Sequence, residues 1–366
     1  MKLICDGLDL SDAVLKVSKA LSVKSANPVL EGIKISAEGD TLTLIATDTE
    51  LTIEKKIKAD VLMEGETVVV GKYFVDFVKK LEKEQIELCK LGDGLLEIRY
   101  SDSASELQVF PVENFPKLDD LEDGDFFEIK QQDLKKIIDR TVFACSIDES
   151  RPILKGCLYE VENGVLTSVA LDGFRMAVCK QEVNASGNFK VVIPSRTLSE
   201  INRLLDKEND LIKVIVTKNT LSIKLENTVI TSRLIEGEFV KYNHILPKAF
   251  ENVITVNKHA LLQSIERASI VARNDRYNIV KFDAKENLLT VSAKSEIGNV
   301  NENVQINLTG KDITIAFNGK FIMDFLKIIE DDFVNINVNT PIEPGIIKAV
   351  GKDDYLYLVM SVRING

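Results

Sequence analysis

Apolar residues along the chain follow two rhythms. Stretches such as "KVIVTKNTLSIKLE" and "VNINVN" alternate apolar with polar positions, the period of a half-buried strand, with Gly, Asn and Asp turns between them. Other stretches repeat apolar residues at spacings of three and four, which marks one face of a helix. Six helices are expected, over Ser11–Leu21, Gly71–Glu84, Gln131–Cys145, Ser195–Glu208, Asn257–Arg273 and Asn318–Asp332.

The rhythm itself repeats. "VVVGKYFVDFVKKLEKE", "VVIPSRTLSEINRLLDKE" and "IAFNGKFIMDFLKIIEDD" align, with Lys72, Arg196 and Lys320 in register at steps of 124 residues. Phe74, Leu198 and Ile322 share a position, as do Phe77, Ile201 and Phe325, and Leu81, Leu205 and Ile329. A second alignment superposes "GDTLTLIATD", "NGVLTSVALD" and "ENLLTVSAKS". The connectors "VENFPKLDDLEDGD" and "IEGEFVKYNHILPK" match too, Phe115 and Phe239 being again 124 apart. The expected fold is α+β: three similar domains, 1–124, 125–249 and 250–366, each with two helices packed on one side of a β-sheet.

Composition narrows the function class. The chain is 45% hydrophobic and 28% charged, ordinary for a globular protein with real cores. The start, "MKLICDGLDL", lacks the pattern of a signal peptide, and no apolar run approaches a membrane span. Five scattered cysteines without CxxC spacing suggest reduced thiols and a cytoplasmic location. Two histidines and no Trp offer little for His-based catalysis or a transition-metal site, so no metal and no cofactor is expected. The net charge of −11 argues against simple electrostatic attachment to nucleic acid. The six helix windows nevertheless hold 17 Lys/Arg against 14 Asp/Glu, +3 against −14 for the remainder. Solvated helix charge and a shared surface facing a polyanion are both compatible with that bias.

Single motifs mostly dissolve into the repeat. "GETVVVGKY" is a near miss for a phosphate loop, with one residue too many between its glycines and Tyr73 where Ser or Thr belongs; strand followed by helix start explains it. Asp148 and Glu149 belong to a polar loop, and neither Cys145 nor Cys179 has a base suggested nearby. "LDGFRMAV" at Leu171–Val178 keeps a residue of interest. Asp-Gly is a turn, but Phe174, Arg175 and Met176 directly after it hint at an exposed apolar patch with a cation at its rim.

"ESRPILKG", "LDGFRMAV", "LIEGEFVKY" and "DDYLYLVMSVR", in that order on a threefold repeat, resemble the bacterial DNA sliding clamps, the β subunits of DNA polymerase III. The resemblance spans the whole chain. It implies a clamp fold in which each chain forms half of a closed ring, two chains joining head to tail around duplex DNA without sequence specificity. It implies a non-catalytic processivity subunit, and a hydrophobic cleft that docks short linear motifs of the replicative polymerase, the clamp loader and repair proteins, with no membrane partner. Carried over by position, the cleft takes Leu154, Leu171, Gly173, Phe174, Arg175 and Met176, then Val240, His244 and Ile245. From the last third come Phe321, Ile342, Pro344, Leu358, Met360, Ser361, Val362 and Arg363. Gly173–Met176 and Met360–Arg363 are expected as opposite walls, with Arg175 bonding a peptide at the rim.

The DNA-facing set is Lys24, Lys72, Lys79, Lys80, Arg151, Arg196, Arg203 and Lys320. A ring contact is expected between Leu107 and Val109 of one chain and Ile270 and Val271 of the other. The sequence departs from the family at "GEFVKY", where Val240 and Lys241 replace Pro and Asp, at Met360-Ser361 in place of Met-Pro, and in the three residues after Arg363. Two other readings compete: a β-rich repeat scaffold with no nucleic-acid role, and an enzyme using Asp172 and Arg175.

Overall fold

The computed structural model describes residues 1–22, 24–81, 84–92, 94–117, 123–247, 249–273 and 278–363. Part of the acidic connector (118–122) and the extension at 364–366 lie outside the described residues. Six α-helices form among them: α1 (Gly7–Val17), α2 (Gly71–Val78), α3 (Gln131–Thr141), α4 (Ser195–Leu204), α5 (Lys258–Ala272) and α6 (Gly319–Ile328). Every expected helix is present, with different ends. α1 begins four residues before Ser11 because the Asp6 carboxylate accepts the N–H groups of Leu8 and Asp9 at 2.9 and 3.1 Å, satisfying first-turn donors. α2 stops at Val78, where the Lys79 N–H folds back onto the Val75 carbonyl. On these shorter bounds the helices hold 11 Lys/Arg and 8 Asp/Glu, again +3.

The second glycine of the near-miss phosphate loop, Gly71, and its repeat counterpart Gly319 have a packing role. A Cβ on Gly71 would sit 2.6 Å from the Glu31 carbonyl oxygen, and one on Gly319, 248 residues on, 2.8 Å from the Ser269 hydroxyl. These helix starts are pressed against their neighbours too tightly for any side chain.

The repeat has three members, but the chain divides into two compact units. The first comprises Met1–Gln131, Asn184–Ser186 and Arg203–Leu234; the second comprises Gln132–Val183, Gly187–Asn202 and Ile235–Gly366. Each holds one continuous sheet, of 14 and 12 strands among the described residues. The middle third is shared because its strands complete both sheets. Thr228–Arg233 pairs antiparallel with Leu51–Lys58, Ile230 opposite Ile53. Arg175–Glu182 pairs antiparallel with Tyr355–Val359, Arg175 opposite Val359 and Cys179 opposite Tyr355. Such pairing hides strand edges that would otherwise be exposed.

Alternation fixes which face is buried. In the first unit α1 lies on Thr41–Thr47 and Leu51–Lys58, burying Leu10, Val14 and Val17 against Leu42, Leu44 and Ile53. In the second, α5 packs on Leu288–Ser295 and Gly298–Thr309 and against α6, burying Leu261, Ile265, Ile322 and Phe325. Each such side chain removed from water contributes roughly 1.5–3 kcal/mol before entropy is counted.

Candidate functional site

The turn in "LDGFRMAV" is built by Asp172. Its Oδ1 accepts the N–H groups of Phe174 and Arg175 at 2.9 and 3.0 Å, a side-chain mimic of a backbone turn. Gly173 sits at φ +92°, in the left-handed region that other residues enter at a cost. A Cβ there would lie 3.5 Å from a guanidinium nitrogen of Arg151. Phe174, two residues beyond Asp172, is left 64% exposed.

Arg175 does the opposite of what its position suggested. It is no rim cation: the side chain is buried, 9% exposed. Its Nε donates to Asp172 Oδ2 at 3.0 Å, one terminal nitrogen to Asp324 Oδ2 at 2.6 Å, and the other to the Phe143 carbonyl at 2.8 Å. The guanidinium also lies over the rings of Phe321 and Phe143, 4.4 and 5.4 Å from their centroids. Desolvation excludes unpaired charge here, and three bonded groups plus two aromatic faces compensate it. Both oxygens of Asp172 are engaged in holding the turn and Arg175.

The two segments expected as opposite walls are neighbours instead. Met176 pairs with Leu358, and the strand register continues into a bond from the Met360 N–H to the Phe174 carbonyl at 2.8 Å. Two residues on, the Val362 N–H donates to the Ala316 carbonyl at 2.8 Å. Beneath this seam lies one buried apolar cluster that includes Leu154, Leu171, Met176, Phe239, Tyr242 and Leu358. Leu154, Leu171, Met176 and Leu358 are therefore floor, not exposed lining. Above it Phe174, Val240, Ile245 and Met360 expose 64, 37, 42 and 39% of their surface. His244 and Arg363 are exposed, Ser361 and Val362 half-buried. Pro344 precedes Gly345, which pairs with Val359, so it flanks the seam; Ile342 is exposed on the preceding turn. Phe321, half-buried, serves as the platform for Arg175.

The eight residues expected to face DNA all have exposed side chains. Lys72, Arg196, Arg203 and Lys320 stand on helices, Lys79 and Lys80 just past the end of α2, and Lys24 in the loop after α1. Lys320 shares Asp324 with Arg175, at 3.0 Å, and Lys79 pairs with Asp76 at 3.7 Å. Arg151 is placed differently from the rest: it lies beside Gly173, at the turn. Leu107 and Val109 are half-buried on the strand Ser103–Phe110; on α5, Ile270 is 64% exposed and Val271 half-buried.

Sequence reading missed a second buried arginine. Arg140 on α3 donates to Asp354 at 3.0 Å and stacks 4.8 Å from the Tyr355 ring centroid. Its partner is 214 residues away, so no local pattern announces it.

Known proteins match the chain along its whole length. Three domain models of the DNA polymerase III beta subunit fit in order: the N-terminal domain over residues 1–119, the central domain over 128–241 and the C-terminal domain over 243–363. A beta sliding clamp of Halalkalibacterium halodurans is 33% identical over 362 residues, covering 95% of each chain. That of Bacillus subtilis is 31% identical over 367 residues, covering 97% of each. Among solved structures, the Bacillus subtilis DNA polymerase sliding clamp superposes with a TM-score of 0.97 at 30% identity, over 100% of both chains. The DNA polymerase III beta subunit of Thermotoga maritima gives 0.94 at 29% identity, again over 100% of both. These matches do not favour a scaffold without a nucleic-acid role. With all three domains matched in order and relatives above 30% identity over nearly the full length, the chain belongs to the DNA polymerase III beta subunit family, the bacterial DNA sliding clamps.

Proposed function

We propose that two copies of this chain, each of three domains (1–124, 125–249, 250–366), close head to tail into a ring around duplex DNA. The ring acts as a cytoplasmic, non-catalytic processivity subunit that tethers the replicative polymerase, the clamp loader and repair proteins by short linear motifs. The +3 balance of the helices suits a lining that tolerates phosphates, and the −14 of the remainder discourages DNA from binding elsewhere. Weak attraction is required, because each phosphate neutralised adds salt-dependent affinity and would impede sliding. Lys24, Lys72, Lys79, Lys80, Arg196, Arg203 and Lys320 supply that attraction. No helix among the described residues is long and apolar enough to cross a membrane.

The observation that carries the docking reading is the seam from Phe174 to Met360. Exposed apolar side chains stand there on a packed floor, and exposed Arg151, whose charge also acts on Asp148, lies beside the turn where Arg175 is buried. Phe174, Met360, Val240 and Ile245 take an apolar peptide, and His244, Ser361, Val362 and Arg363 frame it. Phe174→Ala combined with Met360→Ala is expected to weaken a fluorescent clamp-binding peptide at least tenfold, or ~1.4 kcal/mol, while the fold is retained. Anisotropy titration checks this; wild-type affinity in the folded double variant would move the docking site elsewhere.

A further inference from the structure

Two thiols meet behind this seam. Cys145 ends the turn that follows α3, and Cys157 lies on the strand Gly156–Glu162. Their sulfur atoms are 3.4 Å apart, in contact but not bonded, and all five cysteines are free thiols. Cys157 is fully buried, and Cys145 is partly exposed as a residue although its thiol points inward. The segment between them carries Arg151 and Leu154, and the Ser146 N–H bonds to the Leu154 carbonyl at 2.9 Å. Two residues before Cys145, the Phe143 carbonyl anchors Arg175 at 2.8 Å. The pair is thus tied at one end to the arginine anchor and at the other to the floor of the seam.

We propose that Cys145 and Cys157 form an oxidisable dithiol, a modification site at which a peroxide makes a disulfide that closes the Ser146–Gly156 segment. A disulfide brings sulfurs to about 2.05 Å, so an approach of a little over ~1 Å is needed. The Cys145 thiolate attacks one peroxide oxygen, the O–O bond breaks, and hydroxide leaves as a sulfenic acid forms. The Cys157 sulfur then attacks the Cys145 sulfur, and the hydroxyl departs as water with the Cys157 proton. In sum two thiols lose two electrons and two protons, and hydrogen peroxide becomes two water molecules.

The hydrogen bond shared with Cys157, together with burial, holds the Cys145 thiol well above the usual thiol range. A raised pKa keeps the thiolate fraction small, which slows the first attack. The other cysteines lack this geometry. Cys89 pairs with Lys2 and Cys5 with Ile86 in the strand register, so those two are not opposed. The Cys179 sulfur faces the Arg140 guanidinium at 3.9 Å.

One consequence rests on the docking reading: drawing Cys145 inward shifts the Phe143 carbonyl and the segment bearing Arg151, which weakens peptide binding. The test treats the full chain with hydrogen peroxide, alkylates the remaining thiols and maps the cross-linked peptides by mass. The expected result is loss of two thiols, one Cys145–Cys157 linkage two hydrogens lighter than the dithiol, and reversal by dithiothreitol. Peptide affinity of the oxidised protein falls at least threefold and recovers on reduction; Cys157→Ser shows neither the linkage nor the reversible loss. Five intact thiols, or a linkage between other cysteines, would overturn the site. A mapped linkage with unchanged affinity would overturn its tie to the seam. Failure of the reduced protein to bind peptide would count against the docking reading, leaving the mapped linkage to decide the dithiol.

Discussion

Arg175→Ala is expected to destabilise the second unit by about 3–5 kcal/mol, the usual cost of removing one partner from a buried ion pair. The loss has a definite origin. Asp172 and Asp324, whose side chains are 15 and 26% exposed, would each keep a carboxylate facing the vacated space, and the Phe143 carbonyl would lose its donor. Lys320 remains on Asp324 at 3.0 Å and offsets part of the cost, which favours the lower end of the range. Arg175→Lys restores charge but cannot donate in three directions at once, so it recovers stability only in part. Hydrogen exchange of the paired strands Arg175–Glu182 and Tyr355–Val359 reads this directly: a loss of ~3 kcal/mol is roughly a hundredfold in protection. Unchanged protection in the alanine variant would show that the network does not hold the strands. Met176 carries the same lesson. At 2% exposure it belongs to the floor, and an Asp there would unfold the second unit, which is why exposed Phe174 and Met360 are the proper probes of docking.

The second large effect concerns assembly. Ile270→Asp is expected to convert a dimer of about twice 40.8 kDa into folded monomers. Two open strand edges support the head-to-tail contact. Among the described residues, Ser103–Gln108 pairs only with Leu95–Tyr100, since the strand Gly65–Val70 reaches only Val109 and Phe110. Gly298–Gln305 likewise pairs only with Leu288–Ser295, the strand Asn252–Asn257 reaching only Ile306–Thr309. Pairing these edges between copies would satisfy their backbone groups, and the proposed contact sets Leu107 and Val109 of one copy against Ile270 and Val271 of the other. A charge replacing an apolar anchor costs on the order of 2 kcal/mol or more per contact. A two-membered head-to-tail ring has two equivalent contacts, so the cost is counted twice. Sedimentation at micromolar concentration distinguishes the states; an unchanged dimer would exclude this interface.

Local chemistry was legible in the sequence, and long-range pairing was not. The helix faces follow from spacings of three and four, and the turn at Asp172-Gly173 from composition alone. The early start of α1 was also written in the chain, in Asp6 ahead of Gly-Leu-Asp, but apolar spacing by itself placed the start at Ser11. Arg175 misled because two of its three hydrogen-bond partners lie 32 and 149 residues away; an arginine after an exposed-looking Phe reads as a rim cation unless Phe143 and Asp324 are known to be beside it. The place of Arg151 was hidden in the same way, since nothing local shows that its loop returns to Gly173. The repeat predicts three equal thirds. That the middle third completes two sheets depends on strands such as Thr228–Arg233 and Leu51–Lys58 finding each other across the sequence, which no periodicity encodes.

The central claim is that the protein holds DNA by enclosing it. The most direct measurement loads the wild-type protein onto a nicked circular duplex with the clamp loader, then cuts the circle and follows the bound fraction. Enclosure predicts retention on the intact circle, prompt loss after cutting, and only weak, sequence-indifferent affinity for a short linear duplex. Retention that survives cutting, or tight sequence-selective binding of the short duplex, would contradict it.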